Sequence, residues 1–246
     1  MKLSIITPTL NSEKTIEDCL RSVLRQTYKN IEHILVDGAS SDKTIYIARK
    51  ISPNIKIIVE KDEGIYYALN KGIKNATGDI IGILNSDDFY SSELVFEKII
   101  KVFSEKNVES CYGDLRYVSK YKTSRVIRHW KAGEFNSDNF KYGWMLPHPT
   151  FFVKKEVYNR YGFFDLNYHI SSDYELMLRF LLKFRITTFY IPEVIVNMRV
   201  GGKSNSDIKH FLLKMKEDYL IMRKYSLPAF ISLFLKNISK ICQFFP

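Results

Sequence analysis

The chain has 246 residues and a formal net charge of +10 at pH 7; 46% of its residues are hydrophobic and 26% are charged. These values are typical of a globular protein with a sizeable core, and they exclude a disordered or low-complexity chain. The three cysteines are far apart and form no CxxC motif, which argues against a structural zinc site or a disulfide framework.

Short apolar runs alternate with helical patterns through the first hundred residues. Turn residues follow each run, and this alternation is typical of βαβ units. We therefore predict an α/β fold with a mostly parallel sheet flanked by helices. The apolar runs are 3–6, 31–36, 55–60 and 80–84, and the predicted helices lie near 12–26, 41–51, 64–77 and 92–104.

Residues typical of helix ends accompany these patterns. Ser12 and Asp42 precede predicted helices and are expected to cap them, and Gly78 is expected to terminate the third helix. The glycine-rich phosphate loop of a dinucleotide-binding fold is missing after the first strand, which disfavours a Rossmann dehydrogenase.

Carboxylates follow three of the predicted strands. Asp37 comes after the second strand, Asp62 after the third, and Asp87 and Asp88 directly after the buried run that ends at Leu84. Ligands of open α/β sheets bind at the carboxyl ends of the strands. Paired carboxylates there suit a divalent cation beside a nucleotide, because such cations prefer oxygen ligands. The alternative interpretation is that these residues only close turns or cap helices.

The second half of the chain contains shorter strands around Cys111, Arg116 and His129, followed by two helical patterns. No Pro/Gly/Ser-rich linker separates it from the first half, so we expect one compact domain with a helical tail. The predicted division is a domain over 1–205, with a nucleotide-binding half over 1–105 and an acceptor half over 106–205, and a tail over 206–246.

The tail carries an amphipathic pattern. From Leu227 onward apolar residues recur at helical spacing, and Ser232, Lys236 and Lys240 occupy the other side. A helix with lysines on its polar face fits the interface of a membrane that contains anionic lipid. The same stripe is also compatible with packing against the domain or a second subunit, and the sequence leaves both interpretations open.

Seven segments carry a further signal: 5–11 (IITPTLN), 36–42 (VDGASSD), 62–72 (DEGIYYALNKG), 84–88 (LNSDD), 162–165 (GFFD), 172–175 (SDYE) and 201–204 (GGKS). In this order along the chain they resemble family 2 glycosyltransferases with the GT-A fold, and in particular bacterial enzymes that assemble O-antigen and exopolysaccharide repeat units. The resemblance covers residues 1–205 and implies a Rossmann-like, mostly parallel sheet with a small antiparallel region on the acceptor side.

The resemblance implies an inverting transfer of a single sugar from a UDP-sugar to a lipid-pyrophosphate-linked saccharide, with Mn²⁺ or Mg²⁺ as cofactor. It assigns the general base to Asp173 and the metal to Asp88, although the sequence alone does not tell which of the two adjacent carboxylates faces the ion. The missing membrane spans and Gln-x-x-Arg-Trp motif disfavour a processive synthase. The implied nucleotide-binding residues are Thr7, Pro8, Thr9, Asn11, Asp37, Asp62, Asn85 and Asp87.

Three further residues are candidates for contacts with the acceptor or the diphosphate. His148 lies between two prolines, and a structural histidine is the alternative. Arg199 and Ser204 flank a glycine pair that resembles a mobile flap, and an ordinary loop is the alternative. Lys71 is expected on a solvated helix face, and Glu175 is expected to form a helix-surface ion pair with Arg179.

Other functions are also compatible with an α/β layout. A nucleotidyltransferase or a non-catalytic carbohydrate- or nucleotide-binding protein is the main alternative. Nucleic acid is not an expected partner, because lysines and arginines are spread along the chain without a dense stripe. With no signal-like start and no long apolar stretch, we expect a cytoplasmic protein, peripheral on the inner face of the membrane.

Overall fold

The computed structural model describes residues 1–201 and 208–242. Within these residues, nine strands form one mixed sheet. The strands are β1 Leu3–Thr9, β2 Ile31–Asp37, β3 Lys56–Val59, β4 Ile80–Ile83, β5 Phe89–Tyr90, β6 Ser110–Val118, β7 Val126–Trp130, β8 Phe152–Lys154 and β9 Thr188–Arg199. The α-helices are α1 Ile16–Leu24, α2 Thr44–Ile51, α3 Ile65–Asn75, α4 Val95–Glu105, α5 Lys155–Tyr161, α6 Ser172–Met177, α7 Ile208–Lys224 and α8 Ala229–Cys242.

The strand order places the candidate residues at one edge of the sheet. The order is β3-β2-β1-β4-β8-β6-β9-β5, with β7 paired to β6, and the first four strands are parallel. Thr9 is in register with Asp37, and Asp37 with Val59, so the loops after these strands open side by side. Strand β8 runs antiparallel to both β4 and β6. The predicted α/β fold is confirmed, including its antiparallel region.

The core lies on both faces of this sheet, because successive residues of the central strands point to opposite sides. Along β1, Ile5 packs with α1 and α4, whereas Ile6 packs with α3 and the helices that follow residue 172. Ile221 and Met222 of α7 are fully buried in the second of these clusters. The first tail helix therefore belongs to the core of the domain.

Some predicted helix ends are wrong. Ser12 does not cap α1 through its side chain: its carbonyl accepts the Ile16 N–H, and its hydroxyl lies 2.8 Å from Ser86 Oγ. Gly78 does not end α3, which stops three residues earlier. A glycine is needed there because a Cβ would lie 2.5 Å from Ser4 Oγ. Asp42 does support the start of α2, because it accepts the Thr44 N–H at 2.9 Å.

In the second half, the prediction of separate strands at Cys111 and Arg116 is wrong. Both residues lie on β6, which pairs with the short strand β7 that contains His129. Helix α6 continues directly into a π-helical segment, Leu178–Lys183. The wider turn of a π-helix is often found near functional sites.

The orientation of α8 differs from the expected solvated polar face. Ser232 and Lys236 are buried, at 0% and 2% exposure, whereas Phe230 and Phe234 are 77% and 65% exposed. The helix therefore packs on the protein with its polar side and leaves an apolar side outward. Among the described residues, no helix combines the length and apolar character that crossing a bilayer requires.

Candidate functional site

Asp37 organises the loop that follows β2. Its carboxylate is buried and accepts hydrogen bonds from the Ser40 N–H at 2.7 Å and from the Ser40 hydroxyl at 2.6 Å. Asn11, which has a left-handed φ of 51°, accepts the neighbouring Ser41 N–H at 2.9 Å. The two predicted nucleotide contacts thus shape one loop at the sheet edge.

Two buried oxygen atoms near this edge have no hydrogen-bond partner among the described residues. They are Asp62 Oδ2 and Thr9 Oγ1. Unpartnered buried polar atoms are rare in folded proteins and indicate an unfilled interaction, such as one with a ligand. Both residues were predicted from the sequence to contact the nucleotide.

The other oxygen of Asp62 is engaged. Lys71 Nζ lies 2.9 Å from Asp62 Oδ1 and 2.7 Å from Glu60 Oε2. Lys71 was expected on a solvated helix face, but its ammonium group is instead paired with two carboxylates. Its ammonium group balances the Asp62 charge and fixes the orientation of that carboxylate.

Thr7 and Pro8 lie in the buried part of β1. The Thr7 hydroxyl is 2.9 Å from His33 Nε2, so its side chain bonds within the sheet and away from any ligand. Burial lowers the pKa of His33 to about 4, because an apolar environment disfavours the charged imidazolium. Any contact from Thr7 to a nucleotide would therefore have to come from its backbone.

The adjacent carboxylates Asp87 and Asp88 differ in exposure. Asp88 is fully buried; its Oδ2 accepts from Asn85 Nδ2 at 3.2 Å and its Oδ1 from the Arg199 N–H at 3.2 Å. Asp87 is partly exposed. Burial raises the pKa of both groups, and the Asp87 charge raises that of Asp88 further. Two desolvated carboxylates side by side favour a nearby positive charge.

Arg199 supplies part of that charge from the end of β9. It is 5% exposed, and its guanidinium donates to the Asp87 carbonyl oxygen at 2.5 Å and to the carboxylate of Asp18. The guanidinium also lies over the Phe89 ring, 5.1 Å from its centroid. The flap interpretation is therefore wrong for Arg199, which is fixed against the acidic loop. Ser204 lies outside the described residues.

The donor set at this loop fits a divalent cation with few protein ligands. Across residues 1–201 and 208–242, no three acidic, histidine or cysteine side chains are grouped as a complete metal site. Asp87 and Asp88 still provide oxygen donors, and Mg²⁺ commonly completes its shell with waters and substrate phosphates. The partly exposed Asp87 is the more accessible of the two, whereas the family resemblance assigns the metal to Asp88.

Asp173 lies in the first turn of α6 and is held from one side. Its Oδ1 accepts the Tyr174 N–H at 2.8 Å and lies 3.2 Å from the Tyr66 hydroxyl. No hydrogen bond to its Oδ2 is formed within the described residues. Tyr66 also donates to the Ile170 carbonyl at 2.6 Å, so it ties α3 to the loop before Asp173.

Aromatic rings surround this contact. Tyr66 stacks on Phe164 at 5.4 Å between centroids, and His148 packs edge-to-face on the same ring at 5.6 Å. Burial lowers the pKa of His148, and the Asp173 charge partly opposes this effect. His148 therefore belongs to the environment of Asp173, and a neutral imidazole is favoured there.

Glu217 was not predicted from the sequence. It is 5% exposed, and its carboxylate accepts the backbone N–H groups of His169, Ile170 and Ser171, each at 2.9 Å. These residues precede the Asp173 turn directly. No local signal connects Glu217 to a loop 46 to 48 residues earlier in the chain.

The Glu175–Arg179 ion pair exists, with a distance of 2.9 Å, but the expectation that it lies on the surface is wrong. Glu175 is 1% exposed and also contacts Lys224 at 3.0 Å and the Tyr225 hydroxyl at 2.6 Å. The end of α7 is thereby bound to α6 through a buried carboxylate. The tail thus contacts both the loop and the helix that carry Asp173.

Sequence relatives share a common activity class. The family model of Glycosyl transferase family 2 matches residues 4–180. A PGL/p-HBAD biosynthesis glycosyltransferase of Mycobacterium bovis is 29% identical over 86% of this chain and 83% of its own length. An uncharacterized glycosyltransferase of Rickettsia typhi is 29% identical over 94% of this chain and 77% of its own length.

Solved structures share the fold at low identity. S. aureus TarS 1–349 superposes with a TM-score of 0.70 at 19% identity, covering 97% of this chain and 72% of that chain. This chain spans 44% of the longer TarS structure. The mannosyltransferase PcManGT from Pyrobaculum calidifontis, solved with GDP-Man and Mn²⁺, gives a TM-score of 0.66 at 17% identity, covering 96% of this chain and 68% of that chain.

Proposed function

The chain belongs to glycosyl transferase family 2, and we propose that it moves a single sugar from a UDP-sugar to a saccharide acceptor with inversion at the anomeric carbon. The observation that carries this proposal is the geometry of Asp173. Its Oδ1 is held by Tyr66 and by the Tyr174 N–H, while its Oδ2 accepts no hydrogen bond from the described residues. A carboxylate fixed through one oxygen suits a general base that uses the other.

In the proposed reaction, the acceptor hydroxyl transfers its proton to Asp173 Oδ2 as its oxygen attacks the anomeric carbon. The bond between that carbon and the diphosphate oxygen breaks, and its electron pair leaves with UDP. One base without an enzyme nucleophile implies a single displacement, and therefore inversion. Tyr66 and the Tyr174 N–H orient the base throughout this step.

The donor is proposed to bind along the parallel strands. Asp62 Oδ2 and Thr9 Oγ1, both buried and unpartnered, are the atoms we assign to nucleotide contacts. A carboxylate accepts the N3–H of uracil, which favours a uridine nucleotide. S. aureus TarS, a fold relative, has been solved with UDP-GlcNAc, which is consistent with this choice.

A divalent cation, Mn²⁺ or Mg²⁺, is proposed to be held by Asp88 and Asp87, and when bound it would neutralise the departing diphosphate. Both carboxylates are desolvated, with Arg199 as the adjacent positive group. We expect EDTA to abolish sugar transfer and added Mn²⁺ to restore it. Asp87→Asn and Asp88→Asn should each weaken UDP binding in Mn²⁺ more than in EDTA. Equal UDP affinity with and without metal would argue against this assignment.

The transferred sugar is proposed to be a hexose, and the acceptor a saccharide on a lipid pyrophosphate, as in O-antigen or exopolysaccharide assembly. The net charge of +10 favours such an anionic acceptor. The enzyme would then work at the inner face of the cytoplasmic membrane. We propose a functional division into a nucleotide half over 1–105, an acceptor half over 106–205 and a tail over 206–246, although α7 of the tail packs into the core of the domain.

The decisive experiment compares Asp173→Asn with the wild type. UDP release from a panel of UDP-sugars is measured with Mn²⁺, in the presence and absence of a lipid-pyrophosphate-linked saccharide. We expect the variant to lose transfer while its UDP affinity is unchanged, because Asp173 acts on the acceptor. Asp138→Asn, an exposed surface aspartate, serves as the matched control. Wild-type turnover by Asp173→Asn would refute the assignment of the base.

A further inference from the structure

The tail helix α8 is fixed with its polar side against the protein. The Ser232 hydroxyl donates to the Lys141 carbonyl at 2.6 Å, and Lys236 Nζ lies 3.0 Å from Asp218 Oδ2. The same ammonium group sits 3.4 Å from the centroid of the Tyr174 ring. At Gly143, a Cβ would lie only 2.5 Å from the Lys236 backbone nitrogen, so the two segments are in close contact. These contacts set the rotation of α8 about its axis.

This rotation leaves a row of large apolar side chains exposed. Singly exposed hydrophobic residues are normal, whereas a contiguous apolar patch marks an interaction surface. Four positions at helical spacing share the outward side of α8, and the partly buried Tyr219 ring of α7 packs against Phe230, with 5.1 Å between the ring centroids. The exposed residues of α8 are Phe230 (77%), Ile231 (58%), Phe234 (65%) and Ile238 (39%).

The charges of the helix pair have one sign on the outside. Between residues 208 and 238 the acidic residues are Glu217 and Asp218, which are 5% and 2% exposed and engaged in the contacts described above. The exposed ionisable residues of α7 are basic, and Lys216, Arg223 and Lys224 are among them. On this helix pair the apolar row is accompanied by exposed charges that are all basic, which complements a surface that is itself apolar and anionic.

We propose that α7 and α8 dock this enzyme on an anionic lipid bilayer, with Phe230 and Phe234 inserted at the headgroup boundary. A second copy of the chain is the less favourable occupant, because an isologous contact would bring the basic residues of both copies together. This inference rests on the proposed function, since a lipid-linked acceptor would be anchored in the same bilayer. Its test needs no sugar transfer, so it can fail independently.

The test is co-sedimentation of the purified chain with vesicles of phosphatidylcholine alone or mixed with phosphatidylglycerol. We expect binding to the mixed vesicles that is screened by salt. The double variant Phe230→Ser/Phe234→Ser should bind the mixed vesicles at least about tenfold more weakly than the wild type. The control Tyr46→Ser/Tyr121→Ser removes two aromatic residues that are 66% and 92% exposed elsewhere, and it should bind like the wild type.

A charge variant separates the two contributions. Lys216→Glu/Arg223→Glu should reduce binding to anionic vesicles and make it less sensitive to salt. Circular dichroism and UDP affinity verify that each variant is folded. Unchanged vesicle binding by the phenylalanine variant would overturn the proposal. A dimer in sedimentation analysis that this variant abolishes would overturn it too, since a second copy would then cover the surface.

Discussion

Glu217 offers the sharpest test of how the tail supports Asp173, the proposed base. Its carboxylate accepts three backbone N–H groups of the loop before Asp173, each at 2.9 Å. His169 is exposed and Ile170 is partly exposed, so water would solvate their N–H groups in a variant that lacks the Glu217 carboxylate. Ser171 is 1% exposed, so its N–H has no such substitute. Hydrogen bonds to charged groups contribute about 1.5–3 kcal/mol, and the Ser171 bond dominates the effect.

We therefore expect Glu217→Ala to slow sugar transfer about 10- to 100-fold, if the loop displacement appears fully in the activation barrier. Glutamine retains one acceptor oxygen for the Ser171 N–H, so Glu217→Gln should be slowed less. Initial rates against acceptor at saturating UDP-sugar give kcat and KM, and a separate titration gives the UDP affinity. His210→Ala, an exposed substitution on the same helix, is the control.

The expected signature is a lower kcat with unchanged UDP affinity, because Glu217 contacts the loop before Asp173 and none of the residues proposed to bind the donor. A folded Glu217→Ala enzyme with wild-type kcat and acceptor KM would refute the positioning role. Loss of UDP affinity in parallel with kcat would instead indicate general destabilisation. Thermal unfolding of each variant distinguishes these outcomes.

Three stability predictions follow from buried contacts. Asp218→Ala removes the carboxylate shared by Lys214 and Lys236 and should lower the free energy of unfolding by about 3–5 kcal/mol in urea titrations; a loss below about 1 kcal/mol would contradict the buried ion-pair argument. His33 has a pKa of about 4 in the folded chain, below its value of 6.5 when unfolded. The stabilisation from the neutral imidazole is therefore complete above pH 6.5 and is lost as the pH falls through 4, by about 3 kcal/mol in total. His33→Gln should flatten this part of the pH–stability curve, and an unchanged slope would mean that His33 is not the group responsible. Gly143→Ala places a Cβ at a φ of 78° against the α8 backbone and should lower the melting temperature, whereas an unaltered melting temperature would mean that α8 shifts freely.

The fold followed from the sequence because its signals are local. Apolar runs bounded by turn residues predict strands, and the order of strands and helices predicts a parallel sheet. Asp37, Asp62 and Asp88 follow those strands, so their common edge was predictable too. The strand around Cys111 and Arg116 was divided wrongly, because the polar and glycine residues between them resemble a turn although both belong to β6.

The contacts that position the site were not predictable in this way. Tyr66 lies in a helical pattern, where an aromatic ring is expected to pack in the core. Only the folded chain shows its hydroxyl beside Asp173, 107 residues away. Lys236 was assigned to solvent because a charge normally faces water. Its pairing with Asp218 depends on the packing of α7 and α8, which no local pattern specifies.

The interleaving of strands from both halves limits how the enzyme can be recombined. Strand β5, from the first half, pairs with β9 from the second, and the three residues of β8 join β4 to β6. A chimera cut between the proposed nucleotide and acceptor halves would therefore sever hydrogen bonds in the middle of a continuous sheet. If the proposed halves carry donor and acceptor specificity, these should be exchanged by grafting loops, since the two halves share one sheet.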